Sequence, residues 1–156
     1  MIYSQILTYL LDNPFALLLY ATLCGMVIGI EREVNQKPAG VRTCALVCLA
    51  TCALSLLTQQ VSPIFPDRGH IAANIVQGLG FLCAGTIITN KDKVIGLTTA
   101  AAIWAVAAIG MAIGFGKLVL ATQTTFLTVI IMTGIGFLER LFVSKIVKLS
   151  KKRSYK

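Results

Sequence analysis

Hydrophobic positions fall in five long runs separated by short polar punctuation, near residues 14–30, 43–61, 71–89, 97–115 and 118–138. Each run is close to the roughly 17 to 25 residues that an α-helix needs to cross the hydrocarbon core of a bilayer. The pattern predicts an all-α, polytopic membrane protein of about five transmembrane helices, packed as a small-residue-rich bundle over residues 1–138. A basic cytoplasmic tail is expected over 139–156. Asn13 is placed to cap the first helix, with Pro14 in its first turn where a missing amide donor costs nothing. Ser62-Pro63 closes the second run, Asn90-Lys91-Asp92-Lys93 parts the third from the fourth, and Gly114-Phe115-Gly116-Lys117 makes a tight turn before the fifth.

Within the runs, helical periodicity sorts residues into faces. The third places His70, Asn74, Gln77, Gly78, Gly80, Phe81, Ala84 and Gly85 on one side and Ile75, Leu79 and Leu82 on the other. An unpaired amide is costly in hydrocarbon, so the first side is expected to point to protein, as interhelical glue or as the lining of a solute path. The second run aligns Cys44, Cys48, Thr51, Cys52, Ser55 and Gln59 as a seam of small, weakly polar groups. Three cysteines at that spacing suit a soft metal ion, but no histidine or fourth thiol lies nearby in sequence, so compact packing is the expected role. In the fourth run Ala100, Ala101, Ala107, Ala108 and Gly114 are assigned to one side and Ile103, Val106, Ile109 and Ile113 to the other, with Trp104 filling a gap among small neighbours or stacking on a ligand. Gly25 and Gly29 form a GxxxG pair in the first run, in line with Thr22 and continuing towards Arg32 and Glu33.

Composition supports the membrane reading: 56% hydrophobic against 13% charged residues leaves too little polar surface for a soluble globule of 156 residues. The net charge of +8 does not point to nucleic acid, because the basic residues sit in connectors and in the tail after Phe137 rather than on one face. Their distribution sets orientation instead. With five spans, twelve of the fourteen lysines and arginines share one side, leaving Arg68 and Lys117 on the other. Basic loops are retained in the cytoplasm, which predicts the amino terminus outside and the carboxyl terminus inside. The amino terminus has no basic residue before its apolar run and does not read as a cleavable signal, so the first helix is expected to be retained. In the tail, residues 141–149 alternate apolar and basic groups; a positive-inside anchor is the default, contact with an anionic leaflet the alternative. The five cysteines fall inside apolar spans, where a disulfide framework is not expected.

The richest polar stretch is the interruption from Glu31 to Arg42 between the first two spans. Glu31, Arg32, Glu33, Arg42 and Thr43 make it the candidate functional cluster, and Glu31 is expected to pair with Arg42 and hold the two helices in register. Three motifs occur in order: Gly29-Ile30-Glu31-Arg32-Glu33, then Ala39-Gly40-Val41-Arg42-Thr43, then the run from Ile71 through Asn74, Gln77-Gly78-Leu79-Gly80-Phe81 and Ala84-Gly85 to Ile87. Gly96-Leu97-Thr98-Thr99-Ala100-Ala101 and Trp104 follow. This order resembles the membrane domain of the MgtC/SapB family over residues 16 to 138. The resemblance implies a multi-span protein of the bacterial inner membrane, associated with adaptation to scarce magnesium and, in some members, with survival inside host cells. Three positions depart from the family pattern: His70 and Ile95 stand where arginine is usual, and Cys83 replaces a glycine. Larger members carry a soluble carboxyl-terminal domain, whose functions do not transfer.

No enzyme, cofactor or resident metal is expected from a chain with one histidine, no phosphate loop and six acidic residues all at or beyond helix ends. Mg²⁺ is usually held through one or two carboxylates and waters, so Glu31 and Glu33 could attract it at a cytoplasmic mouth. No carboxylate lies deeper to receive it. The expected partners are therefore the lipid bilayer and either another membrane protein or a second copy, with direct Mg²⁺ transport the runner-up to modulation of a partner.

Overall fold

The computed structural model describes residues 13–61, 68–90 and 93–136. Helix α1 spans Pro14–Val34, α2 Val41–Val61, α3 Arg68–Ala84, α4 Leu97–Gly114 and α5 Leu118–Ile130. A two-stranded antiparallel hairpin joins α3 to α4: β1, Ile88–Asn90, pairs with β2, Lys93–Ile95. A π-helical turn, Ile131–Ile135, prolongs α5. Among the described residues, four helical segments are long and apolar enough to cross a membrane, namely Pro14–Val34, Val41–Gln60, Leu97–Gly114 and Leu118–Ile135. Helix α3 has 17 residues and is therefore about 25 Å long at 1.5 Å per residue.

The expected start of α1 is found: Asn13 is its N-cap, Pro14 opens the first turn, and Asn13 Oδ1 accepts from the Phe15 amide at 3.0 Å. The third span is shorter than its hydrophobic run. It stops at Ala84, and the β-branched Ile87-Ile88-Thr89 turns extended and pairs through Thr89 with Val94 instead of continuing the helix. Helix α4 then starts at Gly96, whose φ of 98° is open to glycine; a side chain there would strike the Thr86 carbonyl. The ends of the second span at Ser62-Pro63 and the tail over 139–156 lie outside the described residues.

Helix α4 is the centre of the bundle and packs against α1, α2, α3 and α5. Its buried face carries Ile103, Val106, Ile109 and Ile113 together with Gly110 and Gly114. Gly114 thus belongs with the isoleucines, not with the outward Ala101 and Ala108 as its assigned side had it.

The α2 seam forms the other half of this core. Cys44, Cys48, Thr51, Cys52 and Ser55 are all buried, with glycines of two helices laid on them. From α1, a methyl group at Gly25 would come within 2.6 Å of the Cys44 carbonyl oxygen, and one at Gly29 within 2.5 Å of Val41 Cα. From α4, Gly110 sits on Thr51 and the Cys48 carbonyl, and Gly114 on Ser55 and Cys52. Gln59 donates to the Gly114 carbonyl and fastens the far end of the α2–α4 pair. Such close backbone approach is how helices gain packing where lipid is as apolar as leucine.

The glycine ridges of α1 and α4 and the α2 seam are consequently consumed within the chain. Their hydroxyls are used as well: Thr51, Ser55 and Thr58 each donate to the carbonyl four residues earlier, at 2.9, 2.8 and 2.8 Å.

Candidate functional site

The α1–α2 connector is built by a helix end and a helix start. At the end of α1 the Lys37 amide donates to the Arg32 carbonyl at 2.9 Å and the Gln36 amide to the Glu33 carbonyl at 3.0 Å. This is a Schellman cap, and its left-handed position is held by Gln36, φ 52°, in place of the usual glycine. At the start of α2, Glu33 Oε2 accepts from the Val41 amide at 3.1 Å, with Gly40 leaving room for the carboxylate. An anion at a helix amino terminus satisfies an orphan donor and complements the macrodipole.

Register across the connector is therefore kept by Glu33 and the backbone. The expected Glu31–Arg42 pair does not form. Glu31 Oε1 accepts from Asn35 Nδ2 at 2.8 Å, its Oε2 is buried without a hydrogen-bond partner, and Arg42 is exposed. The reason is angular: Glu31 lies one residue from the inward stripe of α1 and turns along its own helix, whereas Arg42 opens α2 on the outward side.

Arg32 is the inward residue. It continues the buried stripe of Gly25, Ile28 and Gly29 by one turn and is 1% exposed, the largest fully buried side chain among the described residues. Its Nη2 donates to the Pro38 carbonyl at 2.6 Å and to Thr99 Oγ1 at 2.5 Å. One guanidinium thus ties the end of α1 to its own connector and to the first turn of α4. The charge suits the carboxyl end of α1. Arg32 Nε is buried without a hydrogen-bond partner, as is Glu31 Oε2. The cluster keeps a buried donor and a buried acceptor on adjacent residues, in a protein where nearly all such groups are paired.

Of the predicted site residues, then, Arg32 and Thr99 are brought together, while Glu31 and Glu33 bind the connector's own atoms. Arg42, Thr43 and Thr98 are exposed. The polar side of α3 is displaced from its expected role. His70, Asn74, Gln77, Gly78, Gly80 and Gly85 are exposed, and Phe81 is 88% exposed. The helix instead packs inward through half-buried Ile75 and Leu79 and buried Cys83, whose Sγ lies 3.4 Å from the Ala100 carbonyl. Bulky side chains fill the space against α4, so the carboxamides face out.

Trp104 is 44% exposed and borders a small cavity with Ile75, Val76, Leu79, Ala107, Ala108 and Met111, so it fills the α3–α4 gap only in part. Sequence reasoning missed Gly110 as a contact residue, although Gly110 and Gly114 are themselves a GxxxG pair. It set Arg32 in the polar cluster without assigning it to the interior, although the stripe of Gly25, Ile28 and Gly29 leads to it. Among the described residues, no group of three or more His, Cys, Asp or Glu is arranged to hold a metal ion.

Helices of spanning length, glycine-on-seam packing and a polar connector anchored by a buried arginine define a multi-pass membrane bundle. The MgtC family model matches residues 18–141, and the chain belongs to that family. It is 44% identical over 115 residues to Protein MgtC of Salmonella typhimurium, covering 73% of this chain and 49% of that protein. It is 39% identical over 121 residues to Protein SapB of Bacillus subtilis, covering 72% and 52%. It is 36% identical over 123 residues to an Escherichia coli K12 protein named "Putative magnesium transporter YhiD", covering 74% and 57%. The chain spans about half the length of these curated relatives. No solved structure matches it.

Proposed function

We propose that this chain is a magnesium-related protein of the bacterial inner membrane that binds another membrane protein and modulates its activity or stability when magnesium is scarce. The observation that carries this reading is the closed interior. The α2 seam is filled by glycines of α1 and α4, and its hydroxyls are spent on its own backbone. Among the described residues the acidic side chains are Glu31 and Glu33, both at the end of α1, so no carboxylate stands along the spans.

A packed core suits a protein that acts through its surface. The connector offers exposed Lys37 and Arg42 for docking, while Arg32 and Glu33 keep its shape. The same connector lies at the end of the bundle that carries the α3–α4 hairpin, since Arg32 bonds to Thr99. Lys93 on that end and Lys117 on the other support, by the positive-inside rule, a cytoplasmic connector and an amino terminus outside.

Direct Mg²⁺ transport is the second reading, favoured by the name of the Escherichia coli relative. Flux into sealed proteoliposomes containing the purified full chain separates the two. The expected result is no Mg²⁺ uptake above empty vesicles, with a specific membrane protein co-purifying from cells starved of magnesium. Uptake by the chain alone that is lost in Glu31→Gln or Asn74→Ala would overturn the modulator reading.

A further inference from the structure

The hairpin between α3 and α4 starts at the edge of the hydrocarbon. The far end of α4 is fixed by its tight turn to α5, where exposed Lys117 belongs at the headgroups. From that level the 18 residues of α4 reach about 27 Å, and the 17 of α3 span about 25 Å. The hydrocarbon core of a bilayer is about 30 Å thick, so the near ends of both helices stop at its boundary.

The side chains of the hairpin are graded along its length. Ile88 and Ile95 stand opposite each other at its base and share one face, Val94 lies one residue further out on the other face, and Leu97 opens α4 just below. All four are exposed within the chain. Exposed Lys93 begins β2 at the outer end of the ladder. A strand rises about 3.3 Å per residue, so Lys93 stands about 7 Å beyond Ile95, a distance comparable with the headgroup layer on one side of a bilayer. Neither water nor the hydrocarbon interior suits this element. A lone two-stranded hairpin is marginally stable in water and would leave four apolar side chains wet. Its outer edges carry unpaired backbone amides and carbonyls, which the bilayer centre does not tolerate.

We infer that the hairpin is a lipid-binding element seated at the boundary of headgroups and acyl chains, in the leaflet on the side of the α1–α2 connector. Ile88, Ile95 and Leu97 contact acyl chains, and the Lys93 ammonium reaches the headgroup phosphates. Phospholipid is the occupant because the grade from isoleucine to lysine follows the polarity of one leaflet, and the helix lengths set that grade at the matching depth. The inference does not rest on the modulator reading, which uses the connector.

Nitroxide labels on single introduced cysteines test it, with the full chain reconstituted in vesicles of phosphatidylcholine and phosphatidylglycerol. Collision with oxygen reports lipid and collision with a water-soluble nickel chelate reports water. The five native cysteines are buried. Leu23→Cys, on the exposed apolar face of α1, is the lipid reference, and Lys37→Cys the water reference. Labels at Ile88→Cys and Ile95→Cys should match the lipid reference, and one at Lys93→Cys should fall between the two references. Val94→Cys gives an independent readout that leaves the Ile88–Ile95 pair intact: it should be shielded from nickel, and the added changes Ile88→Asp and Ile95→Asp should raise its nickel collision rate to that of Lys37→Cys. Labels at Ile88, Val94 and Ile95 as open to nickel as Lys37→Cys would overturn the inference. So would labels closed to both reagents, the result expected if protein covers the hairpin.

Discussion

Helices α2 and α3 carry the same kind of stripe, small residues interrupted by weakly polar ones, and the fold treats them in opposite ways. On α2 the stripe is roofed on both sides, by Gly25 of α1 and by Gly110 and Gly114 of α4. On α3 it is open, with empty space over Gly78 and Gly80 and the Asn74 and Gln77 side chains outside the bundle. The difference lies in the opposite face of each helix and in what its neighbours offer. Helix α2 meets two glycine ridges that match its seam, whereas α3 meets α4 with bulky Ile75 and Leu79. A stripe of small residues therefore says that something comes close, and only the neighbours say whether that something is in the same chain.

The contrast breaks most sharply at matched glycines. Gly110→Leu would drive a side chain into Thr51 and the Cys48 carbonyl, forcing α2 and α4 apart. It should cost about 3 kcal/mol or more and leave little folded protein by size-exclusion chromatography. Gly78→Leu is the same chemical change on the open stripe, and the monomer should stay within about 0.5 kcal/mol of the parent in thermal unfolding.

Next in size is Arg32→Met, which preserves bulk but strips donors from the Pro38 carbonyl and Thr99. A loss of about 2 kcal/mol is expected, seen as a lower melting temperature in detergent, with faster proteolysis at the connector. The smallest effect sharpens the comparison from the stable side. Gln36→Gly relieves a left-handed residue at the cap of α1 and should stabilise the closed α1–α2 pair by about 1 kcal/mol, seen as a higher melting temperature in detergent.

Much of this bundle is legible in the sequence. Five helices, the Asn13-Pro14 start and the α2 seam follow from hydrophobic length, capping chemistry and helical period, because each is a local property. Most of the misplaced features depend on which neighbour a face meets. The carboxamides of α3 are expected to point to protein because an unpaired amide is costly in hydrocarbon, and within the chain they are exposed because Ile75 and Leu79 fill the space against α4. The third span was drawn to residue 89 on hydropathy alone, which does not distinguish an apolar helix from the Ile88–Asn90 strand. At the candidate site, charge pairing suggested Glu31 with Arg42, whereas packing chose Arg32 for the interior and Glu33 for the α2 cap.

The bond from Arg32 to Thr99 also carries a schedule. The two residues are 67 positions apart, and at the usual pace of bacterial translation that is roughly 3 to 13 seconds of synthesis. During that interval the nascent first hairpin has the Pro38 carbonyl within its own reach, and the guanidinium has no hydroxyl to receive its second hydrogen bond. The arrival of the fourth helix supplies that hydroxyl, together with the glycine ridge that covers the α2 seam. The Arg32–Thr99 bond thus belongs to the late-made part of the bundle, whereas the Glu33 cap of α2 is complete within the first hairpin.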